Sequence, residues 1–227
     1  MRKILARVGA LVISHRGQPR SIGTLYEFGH PLEKRSNLMI KRAFDLLLSS
    51  LLLLAIGTWM FPVIAILVMI DSKGPVFFLQ RRIKKDGGIF TCIKFRTMRI
   101  NEEADRLPAC VNDRRITRLG RILRIYHIDE LPQLLNVFWG DMSITGPRPH
   151  MISEDHKYTG MFDFYSGRYK VKPGITGLAQ VLGYVGSTAD PEKMKQRVKL
   201  DLYYIRHWSP ALDFKIIFRT FLKLVGF

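Results

Sequence analysis

LLLSSLLLLAIGTWMFPVIAILVMI, Leu46 to Ile70, runs for 25 residues without a charge between Asp45 and Asp71. How it folds decides where the rest of the chain lies. At about 1.5 Å per residue a straight helix of that length would cross a bilayer. Two features argue against a simple crossing. Pro62 lies inside the run, where it removes a backbone donor and crowds the preceding turn, so a kink or a break into two half-helices is expected. Lys41 and Arg42 precede the run, and Lys73, Arg81, Arg82, Lys84 and Lys85 follow it, so the positive-inside bias places both ends in the cytoplasm. A re-entrant helix hairpin over residues 41–72 meets both demands, with a single-span anchor as the plainer alternative. Freed backbone groups at the break are tolerated where Ser49, Ser50, Thr58 or protein neighbours come close.

Outward from this run, residues 1–40 form a basic arm with Gly and Pro and no sustained periodicity, read as peripheral. MRKILARVGALVIS begins like a secretory signal, but Arg7 interrupts its apolar stretch and no A-x-A-like cleavage site follows. Residues 73–227 are long enough to bury a core and form one domain. The 227-residue chain has a formal net charge of +17, which calls for an anionic partner: nucleic acid, phospholipid head groups or a phosphorylated substrate. Its two cysteines, Cys92 and Cys110, signal neither a disulfide framework nor a CxxC metal site, so both read as structural thiols in a reducing compartment.

PVFFLQRRI and IFTCIKFRTM are β-rich and separated by KKDGG, whose Asp86-Gly87 is a hairpin signal. A strand over Phe90–Met98 places Lys94 and Arg96 on one face, with Thr91, Ile93, Phe95 and Thr97 on the other. Two converging cations suit a phosphate; they equally suit a solvated edge strand. In DRRITRLGRILRIYH the spacing is helical: Arg114, Arg118 and Arg121 recur at steps of four and three, with Ile116, Leu119, Leu123 and Tyr126 opposite. Such a basic amphipathic helix suits anionic lipid as well as an ordinary half-buried position.

The next stretch, YHIDELPQLLNVFWGDMSITGPRPH (Tyr126–His150), concentrates the chemistry. Leu131 precedes Pro132 and is biased away from the α region, so a helix begins near Asp129 to Pro132, with proline in its first turn. A helix start suits a capping Asp129 and equally suits a phosphate. Capping alone leaves Glu130 unexplained. Adjacent residues leave a helix about 100° apart, so one carboxylate can react while its neighbour holds a metal. Gly146, Pro147 and Pro149 stiffen the backbone around Arg148 and reduce the entropy lost when its guanidinium grips a phosphate. Carboxylate, metal and arginine together point to phosphoryl transfer.

Several ordered stretches carry a resemblance: KRAFD, KFRTM, DELPQLLNVFWGDMSITGPRP, VKPGITGLAQ and LDLYYIRHWSPALDFKII, spread over Met39–Phe227. The chain resembles the bacterial polyprenyl-phosphate glycosyl-1-phosphate transferases, monotopic membrane enzymes that start exopolysaccharide and O-antigen assembly. The resemblance implies a small mixed α/β domain on the cytoplasmic face of the inner membrane, with amphipathic interfacial helices. It also implies a Mg²⁺-dependent reaction in which a UDP-sugar gives its sugar 1-phosphate to polyprenyl phosphate and releases UMP. Asp129 corresponds to the family's nucleophile and Glu130 to its Mg²⁺ ligand. Arg148, Arg124, Lys94 and Lys172 correspond to phosphate-binding cations. Asp201, in LDLYY, is a candidate support through a basic partner, as is Arg96. The sequence departs from the common pattern at Leu178, Leu182 and Val185, so no sugar-selecting residue is assigned.

Asp190-Pro191 and Ser209-Pro210 read as starts of two C-terminal helices, the second bearing Lys215, Arg219 and Lys223 at steps of four. That helix fits either the bilayer surface or the core. His127, His150, His156 and His207 lack a metal-ligand spacing and read as solvated or hydrogen-bonded. A nucleic-acid partner would match the charge, yet no nucleic-acid-binding signature accompanies it. A non-catalytic membrane scaffold of a glycan pathway is the other reading, and homo-oligomerisation is left open.

Overall fold

The computed structural model describes residues 29–101, 109, 113–186 and 190–226; most of the basic arm, and Cys110, lie outside them. The apolar run is helical throughout. Helix α1 (Arg35–Leu52) passes through a π-helical stretch, Leu53–Gly57, into α2 (Thr58–Asp71). The irregularity expected at Pro62 is therefore displaced to the turns just ahead of it. Proline cannot donate to the carbonyl four residues back, and a widened turn accommodates that loss. Thr58 Oγ1 donates to Leu54 O at 2.8 Å and Trp59 Nε1 to Ala55 O at 2.9 Å, so side chains serve the carbonyls of the wide turn. Thr58 is one of the hydroxyls singled out from the sequence for this purpose.

The continuous stretch Arg35–Asp71, 37 residues, is long and apolar enough to cross a membrane. Both halves also lie on the globular part. Leu48 and Leu52 pack with Phe90, Leu134, Val137 and Ile144, whereas Ile64 and Val68 pack with Phe95 and Leu123. On the remaining side Leu47, Leu51, Leu54, Trp59, Ile66 and Ile70 stay exposed.

Strands β1 (Phe77–Ile83) and β2 (Ile89–Phe95) form an antiparallel hairpin, Phe77 opposite Phe95 and Ile83 opposite Ile89. Asp86 and Gly87 sit at φ 59° and 76°, the left-handed pair that Asp-Gly favours. Strand β2 stops at Phe95, one residue short of Arg96. Arg96 instead reaches back to the end of α2, donating to Ser72 O at 2.6 Å and to Lys73 O, where the helix leaves carbonyls without partners.

The basic amphipathic helix is shorter than its spacing suggested. Helix α3 covers Arg118–Ile125 and is capped by Thr117, whose hydroxyl accepts from Gly120 N at 2.9 Å. Arg114 and Ile116 lie ahead of it, and Ile116 bridges to Met98. Leu123 is buried, but Tyr126 is exposed with Ile122 and Ile125, so the outward side is mixed rather than purely basic. Gly120 is required by packing: a Cβ there would lie 2.1 Å from Thr97 O.

Helix α4 (Gln133–Trp139), strand β3 (Ser143–Thr145), helix α5 (Ile152–Met161), strand β4 (Gly174–Thr176) and the short α6 (Leu178–Val181) follow. Strands β3 and β4 pair in parallel, Ser143 with Gly174 and Thr145 with Thr176. The loops beyond them cross so closely that a Cβ on Gly174 would meet Gly146 N at 2.1 Å. Helices α7 (Pro191–Arg206) and α8 (Pro210–Leu224) start where Asp-Pro and Ser-Pro predict: Asp190 accepts from Glu192 N, and Ser209 from Leu212 N. The result is a mixed helix-and-sheet architecture.

KRAFD fastens α1 to this scaffold. Asp45 Oδ1 accepts from Ser143 Oγ and Ile144 N, both at 2.9 Å. One turn earlier, Lys41 Nζ donates to Thr145 Oγ1 at 3.0 Å and Asp213 Oδ2 at 2.8 Å. Tyr204 Oη and Trp208 Nε1 also donate to Asp213, at 2.8 and 3.0 Å. Every charge in this cluster has a partner, as burial requires.

Candidate active site

Asp129 and Glu130 are presented by a single 3₁₀ turn, Ile128–Glu130, between α3 and α4. His127 enters it at φ 55°, the left-handed region, and so turns the chain sharply inward. Leu131 is in the α region (φ −56°, ψ −35°) despite the following proline, and Pro132 is the N-cap of α4 rather than part of its first turn. Neither carboxylate caps the helix. Both face a cavity of about 750 Å³ whose lining includes Lys94, Arg124, Arg148 and Glu154.

The neighbouring carboxylates have opposite surroundings. Glu130 Oε1 accepts from Lys94 Nζ at 2.6 Å and Arg148 Nη2 at 2.5 Å; Oε2 accepts from Arg148 Nη1 at 3.0 Å. Although burial opposes its charge, Arg148 and Lys94 hold Glu130 well below the ordinary carboxylate range. Asp129 is also buried, yet no group among the described residues donates a hydrogen bond to its carboxylate. Burial, and next the Glu130 charge, push its pKa up. One carboxylate is fixed and the other is available.

The cations expected to bind phosphate divide accordingly. Lys94 and Arg148 reach the cavity but are engaged by Glu130. Arg124 donates Nε–H to Thr97 Oγ1 at 2.7 Å, and its remaining N–H groups have no partner among the described residues. Arg96 lines the cavity while holding the end of α2. Lys172 is not among the lining residues; it sits with Arg42 beside Gly140, at the C-terminus of α4, so the structure does not bring it to this site.

Asp201 finds the basic partner anticipated for it. Its Oδ2 accepts from Arg168 Nε at 2.9 Å, and Arg168 Nη2 donates to the Arg148 carbonyl at 2.5 Å. Arg168 Nη1 lies 3.0 Å from His150 Nδ1, which is also 2.6 Å from Tyr165 Oη. Burial and then the Arg168 charge hold His150 well below its ordinary value, so it is neutral. Arg168, Tyr165, His150 and Thr97 were missed as supports, because each works through a partner distant in sequence. GRYK carries no local signal of its role.

Among the described residues no three His, Cys, Asp or Glu side chains gather around one point. An all-protein metal cage is therefore not what these residues form. Two adjacent hard-oxygen donors, one with a lightly used Oε2, do fit Mg²⁺, which keeps waters and shares its coordination with substrate phosphates.

Lys94, Arg124 and Arg148 thus line the same cavity as the Asp129 carboxylate, in a chain that also carries a long apolar helix. The chain belongs to the bacterial sugar transferase family, whose model matches residues 36–226. It is 47% identical over 188 residues to a UDP-glucose:undecaprenyl-phosphate glucose-1-phosphate transferase of Klebsiella pneumoniae, covering 82% of this chain and 40% of that one. An identically named protein of Escherichia coli is 46% identical over 192 residues, with the same shares covered. Another, of Caulobacter vibrioides, is 43% identical over 193 residues, covering 85% of this chain and 72% of that one. The chain thus spans two fifths of the first two relatives and nearly three quarters of the third.

Proposed function

We propose that this chain transfers a sugar 1-phosphate from a UDP-sugar to polyprenyl phosphate, with UMP as leaving group, at the start of a membrane glycan assembly. The observation that carries this reading is Asp129: buried, without a hydrogen bond, and set among Arg124, Lys94 and Arg148 at the cavity wall. An Asp129 oxygen attacks the β-phosphorus of the donor, its bond to phosphorus forms, and the bond to the UMP oxygen breaks. The lipid phosphate oxygen then attacks the same phosphorus, and the Asp129 carboxylate is released. Arg124, with free N–H groups, stabilises the equatorial oxygens of the transferring group. Glu130, kept ionised by Arg148 and Lys94, would hold Mg²⁺ together with the donor diphosphate. When bound, that ion neutralises diphosphate charge.

The relatives' names support UDP-glucose as the first donor to test. We place the domain on the cytoplasmic face of the inner membrane with the apolar helix re-entrant. This placement is supported by the ties of both ends to one scaffold: Lys41 to Thr145 and Asp213, and the Ser72 and Lys73 carbonyls to Arg96. Exposed Phe214, Phe218 and Phe221 on α8, and Arg118 and Arg121 on α3, suit an anionic lipid surface. The decisive experiment is UMP release from UDP-glucose and other UDP-sugars by detergent-solubilised protein with Mg²⁺ and undecaprenyl phosphate. Release dependent on the lipid supports the reading; none with any donor, from folded protein, removes it. Cysteine labelling of the amino terminus from the periplasm would rule out the re-entrant path.

A further inference from the structure

The cavity is charged at Asp129 but largely apolar along its β1 side, where Pro75, Phe77, Phe78 and Leu79 line it and Ile100 joins them. Leu79 and Ile100 are 58% and 70% exposed, an unfavourable setting for isolated apolar side chains in water. Two links place this wall between the membrane helix and the reacting groups. Phe78 stands directly across the hairpin from Lys94, the lysine bonded to Glu130. Phe77 stacks on Phe95 (centroids 5.5 Å apart), and Phe95 meets Phe61 of α2 edge-on at 5.3 Å. The same wall begins at Pro75, four residues after α2 ends at Asp71, with Arg96 tying that end down.

Resting on the activity proposed above, we infer that this wall receives the isoprenoid chain next to the acceptor's phosphate. The first isoprene units run along the edge of β1, past Phe78 on the Lys94 face and on towards Leu79, Pro75 and Ile100 at its rim, and the phosphate points to Arg124 and Asp129. Charge complementarity sets the direction: cations at one end suit a phosphate, and the wall contiguous with the lipid-facing helix suits a hydrocarbon. A nucleobase is the competing occupant. It needs hydrogen-bonding partners, which these apolar side chains do not offer and which the cavity carries elsewhere, at Asn101 and Gln180.

The test uses the full chain in nanodiscs and a polyprenyl phosphate carrying a diazirine on its second isoprene unit. After irradiation and trypsin, the label is expected on the peptide Gly74–Arg81, and undecaprenyl phosphate should displace it while undecaprenol does not. Label confined to Arg35–Asp71 or to α8, or displaced equally by the alcohol, overturns the inference. Because labelling needs no turnover, this outcome is separable from failure of the transfer reaction itself. In steady state Leu79→Glu should raise KM for the lipid phosphate about tenfold, by loss of apolar contact, and leave KM for the UDP-sugar unchanged. A rise in KM for the UDP-sugar alone would assign the wall to the nucleobase.

Discussion

Two buried charge clusters meet the stretch 143–148, one at Ser143 to Thr145 and the other at Arg148, and they are built to opposite rules. In the first, Lys41, Asp45 and Asp213 are saturated by Ser143, Ile144 N, Thr145, Tyr204 and Trp208, and they lock α1 to β3. In the second, Glu130 is held by Lys94 and Arg148, with only one bond on its Oε2, while Asp129 beside it has no hydrogen bond. A closed cluster holds structure and gains nothing from further ligands. An open one is costly to the fold, because a buried carboxylate goes without a hydrogen bond, and that cost fits the substrate-facing role proposed for Asp129.

The largest expected effect separates the two rules. Asp129→Asn should lower turnover by about ten-thousand-fold or more, as loss of a nucleophile does. It should nevertheless raise the melting temperature. The folded pKa of Asp129 is pushed up, so its stabilising contribution is complete below the ordinary carboxylate range and lost as pH rises through the folded value. At neutral pH the ionised group therefore opposes folding, and the amide removes that opposition. A gain of about 2–4 °C for each kcal/mol is expected at this chain length. A lowered melting temperature would mean that Asp129 is a structural member like its neighbours.

Asp213→Ala should behave in the reverse sense. It strands Lys41 in a buried site and removes the acceptor of Tyr204 and Trp208, so about 3–5 kcal/mol of stability is lost. Turnover per folded molecule should survive. Thermal unfolding followed by activity normalised to folded protein checks both halves, and equal losses in the two would erase the distinction between clusters.

A smaller effect lies within the open cluster. The acid limb of kcat/KM should fall above the ordinary Asp value of 3.8, because burial and then Glu130 raise Asp129. Glu130→Gln removes that neighbouring anion and frees Lys94 and Arg148, so the limb of its residual activity should move to lower pH. A limb that stays in place, or moves up, would mean that a different group titrates.

What the sequence made legible was local. The Asp-Gly hairpin, the Asp-Pro and Ser-Pro helix starts, and the adjacent carboxylates before Pro132 each announce themselves within a few residues. The closed cluster does not, because Lys41 meets Asp213 across 172 positions and Asp45 meets Ser143 across 98. For the same reason Lys94 and Arg148 looked like free phosphate binders until Glu130 was seen to engage them. Lys172 lies away from the cavity, which was not legible because a cation at a helix C-terminus and one at a phosphate site look alike in sequence. Arg168 had no signal at all.

The finest distinction is whether the open cluster is partly preorganised. Arg124 is the cavity cation proposed to meet the transferring phosphate, and one bond, from its Nε to Thr97 Oγ1 at 2.7 Å, fixes its direction. Thr97 itself is held independently, its carbonyl accepting from Thr117 N at 3.0 Å over the tight approach of Gly120. Thr97→Ala therefore deletes the aim and leaves the backbone intact. A net hydrogen bond of about 1 kcal/mol corresponds to roughly a fivefold fall in kcat/KM. Thr97→Ser keeps the hydroxyl and should restore most of it. If both variants match the parent, Arg124 finds the phosphate unaided, and the cluster is open in its cations as well as in its carboxylate. If the serine variant alone recovers, the site fixes its cation and leaves only Asp129 unbound, which confines the open rule to the one carboxylate proposed to react.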